Sequence, residues 1–379
     1  MIFIPTYQEA INRKNKFLNS GLCEYSKLRN YDYGPEEREN VSGLSPYITH
    51  GLIDIVGLAQ ECIDLFGEKR AEKYIAELFW GVYWKGYLEL RPSIWTCFKN
   101  DLENLRDYQN EELYLKAIHG ETNISCFNDW VKELREYNYL HNHTRMWFAS
   151  IWIFTLKLPW QLGAAFFMKH LYDGDIASNT LSWRWVAGIH TINKAYFASA
   201  ENIKKYSSKI VEKSLLSSDN RSISEDTKHE IIPKNFDSPV INNYEILLVF
   251  ENSFGLKEFN DYASKFKEIY VVNLGNELRS IKLDKKVINF KRRLEGDFVN
   301  RLSDRYKIKL INLNELDNRF SGASAFYPNT GDVYDYTKEL DLNYIYSNID
   351  TLCWGKCKAG FFGFKKFIFE IIEKLKSAS

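Results

Sequence analysis

Apolar residues recur at helical spacing from Leu52 to Phe66 and from Ala71 to Leu90, where Arg91-Pro92 stops the pattern. The same period returns at Phe127–Tyr139, Arg145–Leu156 and Gln161–Tyr172, with Pro159 between the last two. A further helix is expected from Trp183 to about Ile189. Residues 1–206 therefore predict a mostly helical domain. Composition shifts near Ser207, and residues 207–240, rich in Ser, Lys, Asp and Asn, read as a linker. Beyond it the period changes. Glu245–Phe250, Glu268–Asn273, Lys307–Asn312 and Leu342–Ser347 read as strands. Helical patterns lie between them at Leu256–Phe266 and Glu295–Tyr306, and another closes the chain at Phe361–Leu375. Alternating strand and helix predicts a small doubly wound α/β domain over residues 241–379. No Gly-x-Gly-x-x-Gly or P-loop occurs in it, so a dinucleotide site there is unsupported.

At 379 residues the chain has room for both cores. Its 50 basic and 50 acidic residues balance, so nucleic-acid binding would need a local basic face. Aromatic residues reach 16%, with 10 Trp and 24 Tyr, enough for a large core, stacking platforms and electron-hopping partners. The six cysteines are scattered apart from Cys353-Trp-Gly-Lys-Cys357, which lacks a second pair, so no metal site is expected and reduced thiols are. Met1-Ile-Phe-Ile-Pro5 has no basic leader, and the most apolar stretch, Met146–Leu158, is too short for a bilayer. A soluble cytoplasmic protein without membrane contact is expected.

The chemistry concentrates between Leu140 and Trp185. Asn142, Arg145 and Met146 share one helical face, and Trp147-Phe148 after them predicts burial. A buried arginine needs a partner, and Asp173 or Asp175 is the natural one. Asp173-Gly174-Asp175 followed by Asn179 offers carboxylates for a ribose hydroxyl or a ring NH and an amide for a ring nitrogen. Alone, the same triplet is a common turn or cation loop. Trp183 and Trp185 lie about 200° apart on a helix and point to nearly opposite sides. Val41-Ser42-Gly43-Leu44-Ser45-Pro46-Tyr47 precedes a helix, with Ser45 as expected N-cap. The two serines and the helix start also make a pyrophosphate seat. Glu77 sits one turn from Trp80 among Phe79, Tyr83 and Trp84, where burial would raise its pKa and make it a proton or hydrogen-bond donor.

These pieces, in this order, resemble the FAD-binding domain of the DNA photolyase/cryptochrome family over about residues 20–205. The matching segments are Val41–Tyr47, Glu77–Trp80, His141-Asn-x-x-Arg145-Met146, Trp160, Asp173-Gly-Asp-x-Ala-Ser-Asn179 and Trp183-x-Trp185. Arg145–Ala187 also resembles bacterial photolyase-like proteins that lack the N-terminal antenna domain. The resemblance implies a helical bundle holding FAD. Ser42, Leu44 and Ser45 would lie at its phosphates. Asn142, Arg145, Asp173 and Asp175 would contact flavin and ribose, and Asn179 would face N5. Trp183 and Trp160 would form the inner photoreduction chain, with Tyr108 as a stand-in for its third member. Glu77, Trp80, Met146 and Trp185 match the lesion pocket of the enzymes that split cyclobutane pyrimidine dimers. In that reading the protein is a deoxyribodipyrimidine photo-lyase, a carbon–carbon lyase. Its partner is UV-damaged DNA, single-stranded DNA included, and it acts through Glu77, Asn179, Trp183 and Trp160.

Three departures favour an alternative. His143 stands where the dimer enzymes carry a lesion-contacting arginine, and Gly81-Val82 removes another basic contact. The α/β domain follows the flavin domain instead of preceding it. The alternative is a blue-light sensor without repair activity that signals to a protein partner through its C-terminal domain.

Overall fold

A computed structural model describes residues 1–219, 221–255 and 257–377. Twelve α-helices precede the first strand among the described residues. The ones that build the site are α1 (Tyr7–Lys16), α2 (Leu22–Leu28), α3 (Ser45–Thr49), α4 (Ile55–Phe66), α5 (Glu68–Glu89), α6 (Ser93–Asn104), α7 (Glu112–His119), α8 (Ser125–Tyr137), α9 (Asn142–Ser150), α10 (Trp160–His170), α11 (Ile176–Ala187) and α12 (Ala200–Tyr206).

Local chemistry sets their ends. Asp54 caps α4 by accepting from the backbone N–H of Val56 and Gly57. Asp175 caps α11 through Ser178, so that helix begins seven residues before the expected Trp183. Asn138 at φ 55° and Gly188 at φ 80° end α8 and α11 in the left-handed conformation. Asn138 also clips two helices together: its side chain donates to His170 O at 2.7 Å and its carbonyl accepts from Tyr172 N at 2.9 Å. That clip fixes the start of the Leu171–Asp175 loop. Helix α9 does not run on to Leu156 as a regular helix. A π-helical turn over Ile151–Thr155 follows it, and its extra residue re-aims Trp152.

Residues 207–240 hold little regular structure, but they are pinned to the helical domain. Phe236 is buried, Ile232 N donates to Leu90 O, and Glu225 pairs with Arg184. Asn220, within this linker, lies outside the described residues.

The sheet follows as β1 (Ile246–Val249), α13 (Lys257–Ala263), β2 (Glu268–Asn273), α14 (Lys285–Leu302), β3 (Ile308–Asn312), β4 (Ser324–Phe326), α15 (Asp332–Thr337) and β5 (Asn343–Ile345). All pairs are parallel, in the order β3-β2-β1-β4-β5. The expected doubly wound arrangement is therefore present, with its switch point between β1 and β4. Strand β4 was not expected, and α14 begins ten residues before the predicted Glu295. The predicted start of α13 at Leu256 lies outside the described residues.

An unexpected helix α16 (Asn348–Cys353) follows, and the expected closing helix Phe361–Leu375 is broken into α17 (Phe361–Lys365) and α18 (Ile368–Ser377). These turn back onto the helical domain. A Cβ at Gly86 of α5 would lie 2.5 Å from the Trp354 ring, so only glycine admits that indole. Tyr83 donates to Ala359 O at 2.9 Å, and Lys365 pairs with Glu72 at 2.7 Å. One apolar core, from Phe3 to Ile372, runs through both parts of the chain.

The seam between them also carries buried charge. Glu251, just after β1, binds Arg279 at 2.6 Å and Lys291 at 3.2 Å, and Lys291 Nζ lies 3.1 Å from His50 Nε2. Burial pushes Glu251 up, but the two cations more than offset this and hold it below the usual carboxylate range. Burial and Lys291 lower His50 to about 3, so its ring is neutral. Among the described residues, no helix is long and apolar enough to cross a membrane, and all six cysteines are free thiols.

Candidate functional site

The expected arginine partner is Asp173. Arg145 Nη2 donates to its Oδ2 at 2.8 Å, and Ser45 Oγ donates to the same oxygen. Helix α9 and α3 are thus tied to the loop that the Asn138 clip positions. Ser45 is not the N-cap. It occupies the first turn of α3, behind Leu44, and its hydroxyl goes to Asp173 instead of the helix backbone. Ser42 stays local, accepting from Leu44 N at 3.4 Å, and Leu44 is buried. Asn142 opens α9 and is exposed.

The neutral state of His141 matters here. Burial lowers its pKa to about 4, which leaves Nδ1 free to accept from His143 N at 3.2 Å and cap α9.

Asp173 Oδ1 is buried and makes no hydrogen bond within the chain, and the same holds for Trp183 Nε1. A buried carboxylate oxygen and a buried indole N–H of this kind ask for a polar partner. These orphans fit a ligand that carries hydroxyl and ring-nitrogen groups. Asn179 is oriented for one: its Nδ2 donates to Ala164 O at 2.8 Å, which leaves Oδ1 as the acceptor. Asp175 spends one oxygen on the α11 cap.

The two tryptophans of α11 do face apart. Trp183 is 2% exposed and meets Phe167 at 5.1 Å, Trp152 at 6.2 Å and Phe148 at 6.4 Å. Trp185 is half-buried and stacks on Tyr196 at 5.9 Å. Trp160 lies elsewhere, stacked on Phe98 at 5.5 Å with the Arg184 guanidinium 5.8 Å from its centre. Among the described residues, neither Trp183 nor Tyr108 makes a ring contact with Trp160.

A second group lies on adjacent helices. Helix α5 packs on α11 and α11 on α9, which brings Glu77 and Trp80, Trp185 and Met146 to neighbouring elements, all half-buried. Glu77 accepts from Tyr25 through one oxygen and from Arg29 through the other. Burial raises its pKa, and the hydrogen bond from Tyr25 and the charge of Arg29 only partly oppose the rise. Tyr25 and Arg29 were not foreseen. Their spacing of four on α2 and its C-cap is the signal that carried them.

Trp80 stacks on Phe361 of α17 at 3.7 Å and 13°, so one face of its indole is covered by the chain itself. His143 is also occupied. Its ring stacks on Trp147 at 4.2 Å, Nδ1 lies 3.0 Å from Asn30 O, and Nε2 lies 3.3 Å from the Tyr196 hydroxyl.

Residues 74–213 match the family described as the FAD binding domain of DNA photolyase. Among curated proteins, the chain is similar to the deoxyribodipyrimidine photo-lyase of Buchnera aphidicola subsp. Baizongia pistaciae, 27% identical over 274 residues, 66% of this chain and 56% of the relative. That of Synechococcus sp. is 28% identical over 212 residues, 53% of this chain and 43% of the relative. That of Escherichia coli is 26% identical over 201 residues, 50% and 40% of the two chains. The chain thus spans about half, or less, of the length of these relatives. Among solved structures, the cryptochrome of Synechocystis sp. PCC6803 aligns at 21% identity and a TM-score of 0.48, over 54% of this chain and 44% of that one. A class III photolyase of Agrobacterium tumefaciens aligns at 21% and 0.43, over 53% and 42%.

Proposed function

Since its helical domain is an FAD-binding domain of the photolyase/cryptochrome family, we propose that the protein repairs cyclobutane pyrimidine dimers in UV-damaged DNA by light-driven electron transfer. Asp173, Arg145 and Ser45 would hold the cofactor's polar groups, with Ser42, Leu44, Asn142 and Asp175 around them. Asn179 would accept from N5–H through its Oδ1. Bound flavin supplies the light-driven electron.

The observation that carries this reading is Glu77. It is half-buried, its pKa is pushed up by desolvation, and Tyr25 and Arg29 grip both its oxygens one turn from Trp80. A carboxyl held that way can keep a proton at a pyrimidine carbonyl oxygen that gains negative charge. Trp80 and Trp185 would stack against the flipped bases, with Met146 on the neighbouring α9. His143, whose ring nitrogens are both engaged, supports this group. Glu77→Gln should lower the repair yield per absorbed photon at least several-fold while flavin content is unchanged. Intact dimers after saturating blue light on the reduced wild-type protein, with single- and double-stranded substrates, would exclude repair.

A second reading is favoured by Phe361. The covered face of Trp80 belongs to the surface a lesion would need, and the covering ring comes from a C-terminal helix. In that reading the protein senses blue light and signals through its C-terminal part. Limited proteolysis in dark and light tests it: identical cleavage within residues 207–240 counts against signalling.

A further inference from the structure

The ring contacts of the buried indole on α11 lead away from the tryptophan the family resemblance points to. Trp183 meets Trp152 edge-on at 6.2 Å and 86°, and Trp152 meets Tyr114 of α7 edge-on at 6.0 Å and 89°. Tyr114 is half-exposed. Trp152 owes its place to the π-helical turn after α9, and Gly163 admits both indoles: a Cβ there would lie 2.3 Å from Trp183 and 2.9 Å from Trp152 Nε1.

We propose that Trp152 and Tyr114 form the electron-relay branch that refills Trp183 during flavin photoreduction. The proposal rests on the flavin reading above.

Each step runs in a favourable direction. Trp183 is 2% exposed and enclosed by Phe167, Trp152 and Phe148, so a positive hole on its ring is poorly solvated. Trp152 donates its N–H to Pro159 O at 2.9 Å, and a hydrogen-bond acceptor there stabilises the hole once it arrives. Tyr114 can then lose an electron to Trp152 and its phenolic proton to water. The Trp160 side is less suited. Its stacked neighbour Phe98 is not oxidisable at comparable potentials, and the Arg184 guanidinium lies over its ring. Glu225, paired with that guanidinium, offsets only part of the repulsion.

Electrons balance as follows. Trp183 would give one electron to a bound, photoexcited oxidised flavin. Trp152 gives one electron to Trp183, and Tyr114 gives one electron to Trp152 and its proton to solvent. A small thiol in solution restores the tyrosyl radical to the phenol.

The test uses the FAD-loaded full chain under blue flashes, read by transient absorption and electron paramagnetic resonance. Wild type should show a long-lived neutral tyrosyl radical whose signal narrows when tyrosine rings are deuterated. Tyr114→Phe, a half-exposed and conservative change, should abolish that signal. Trp152→Phe should cut the yield of long-lived flavin reduction at least tenfold with FAD content retained. Trp152→Tyr, which keeps an oxidisable ring, should restore part of it. A tyrosyl signal that survives Tyr114→Phe overturns the proposal. So does a yield loss in Trp160→Phe at least as large as in Trp152→Phe. If Trp183→Phe leaves photoreduction intact, the flavin reading itself fails. If Trp183→Phe abolishes it while Trp152→Phe does not, only the relay fails.

Discussion

Two buried polar clusters lie within one chain and behave differently. At the domain seam, Glu251 has both carboxylate oxygens taken by Arg279 and Lys291. At the Leu171–Asp175 loop, Asp173 binds Arg145 and Ser45 through one oxygen and leaves the other buried and unmatched. Both clusters hold charge out of water. The seam matches both oxygens of its carboxylate and leaves a guanidinium N–H, Arg279 Nε, without a partner. The loop leaves a carboxylate oxygen unmatched, which suits a ligand that donates. Burial and ion pairing alone therefore do not mark a site; the kind of group left unmatched is what separates the two.

The contrast breaks in a graded way. Glu251→Gln should do most damage to stability, because it strands two buried cations. A loss of about 3–5 kcal/mol is expected, read from denaturant midpoints, with the flavin-to-protein absorbance ratio of the folded fraction unchanged. Asp173→Ala should cost about 2–3 kcal/mol, as charge-assisted bonds do, and the same absorbance ratio should fall nearly to zero. Equal flavin loss in both variants would erase the distinction between joint and site. Gly163→Ala should cost about 1–3 kcal/mol by overpacking against Trp183 and lower the photoreduction yield without releasing flavin.

The smallest effect is in pH. Burial lowers His170 to about 4, below its unfolded value. The unfolded chain therefore binds a proton that the folded chain refuses, and stability is complete above about pH 6.5 and lost as pH falls toward 4. At the seam His50 slopes the same way, but Glu295, raised to about 7 by burial and by Glu251, opposes it over nearly the same window. His170→Phe should flatten the acid side of the stability curve by up to ~1.4 kcal/mol per pH unit. His50→Phe should remove one such contribution and leave that of Glu295 unopposed at the seam, so the curve should flatten between about pH 4.5 and 6.5.

Part of the candidate site was legible before any coordinates. Arg145, Asp173 and Asn179 read as a site because no packing rule asks for them in that order, and four strands read as apolar runs. Strand β4 was not legible. Ser324-Ala-Phe326 is too short and too small-chained to carry a period, and it is a strand because it pairs with β1 and β5. Ser45 misled because a hydroxyl before Pro46 suits a cap, whereas a buried carboxylate from distant sequence is the stronger acceptor. The π-helical turn was illegible for a related reason: one extra residue in a run such as Ile151-Trp-Ile-Phe leaves every position apolar. Nothing in the sequence sets Trp152 apart from its apolar neighbours.

The fit of Trp354 over Gly86 and of Phe361 over Trp80 has a consequence for how the protein is made. Helix α5 emerges from the ribosome well before the rings that roof it. At about 5–20 residues per second, the strip from Trp80 to Gly86 waits on the order of tens of seconds, bare and aromatic. During that interval a nascent chain is most in need of a chaperone, and slowing translation just ahead of Trp354 should lengthen its dependence on one.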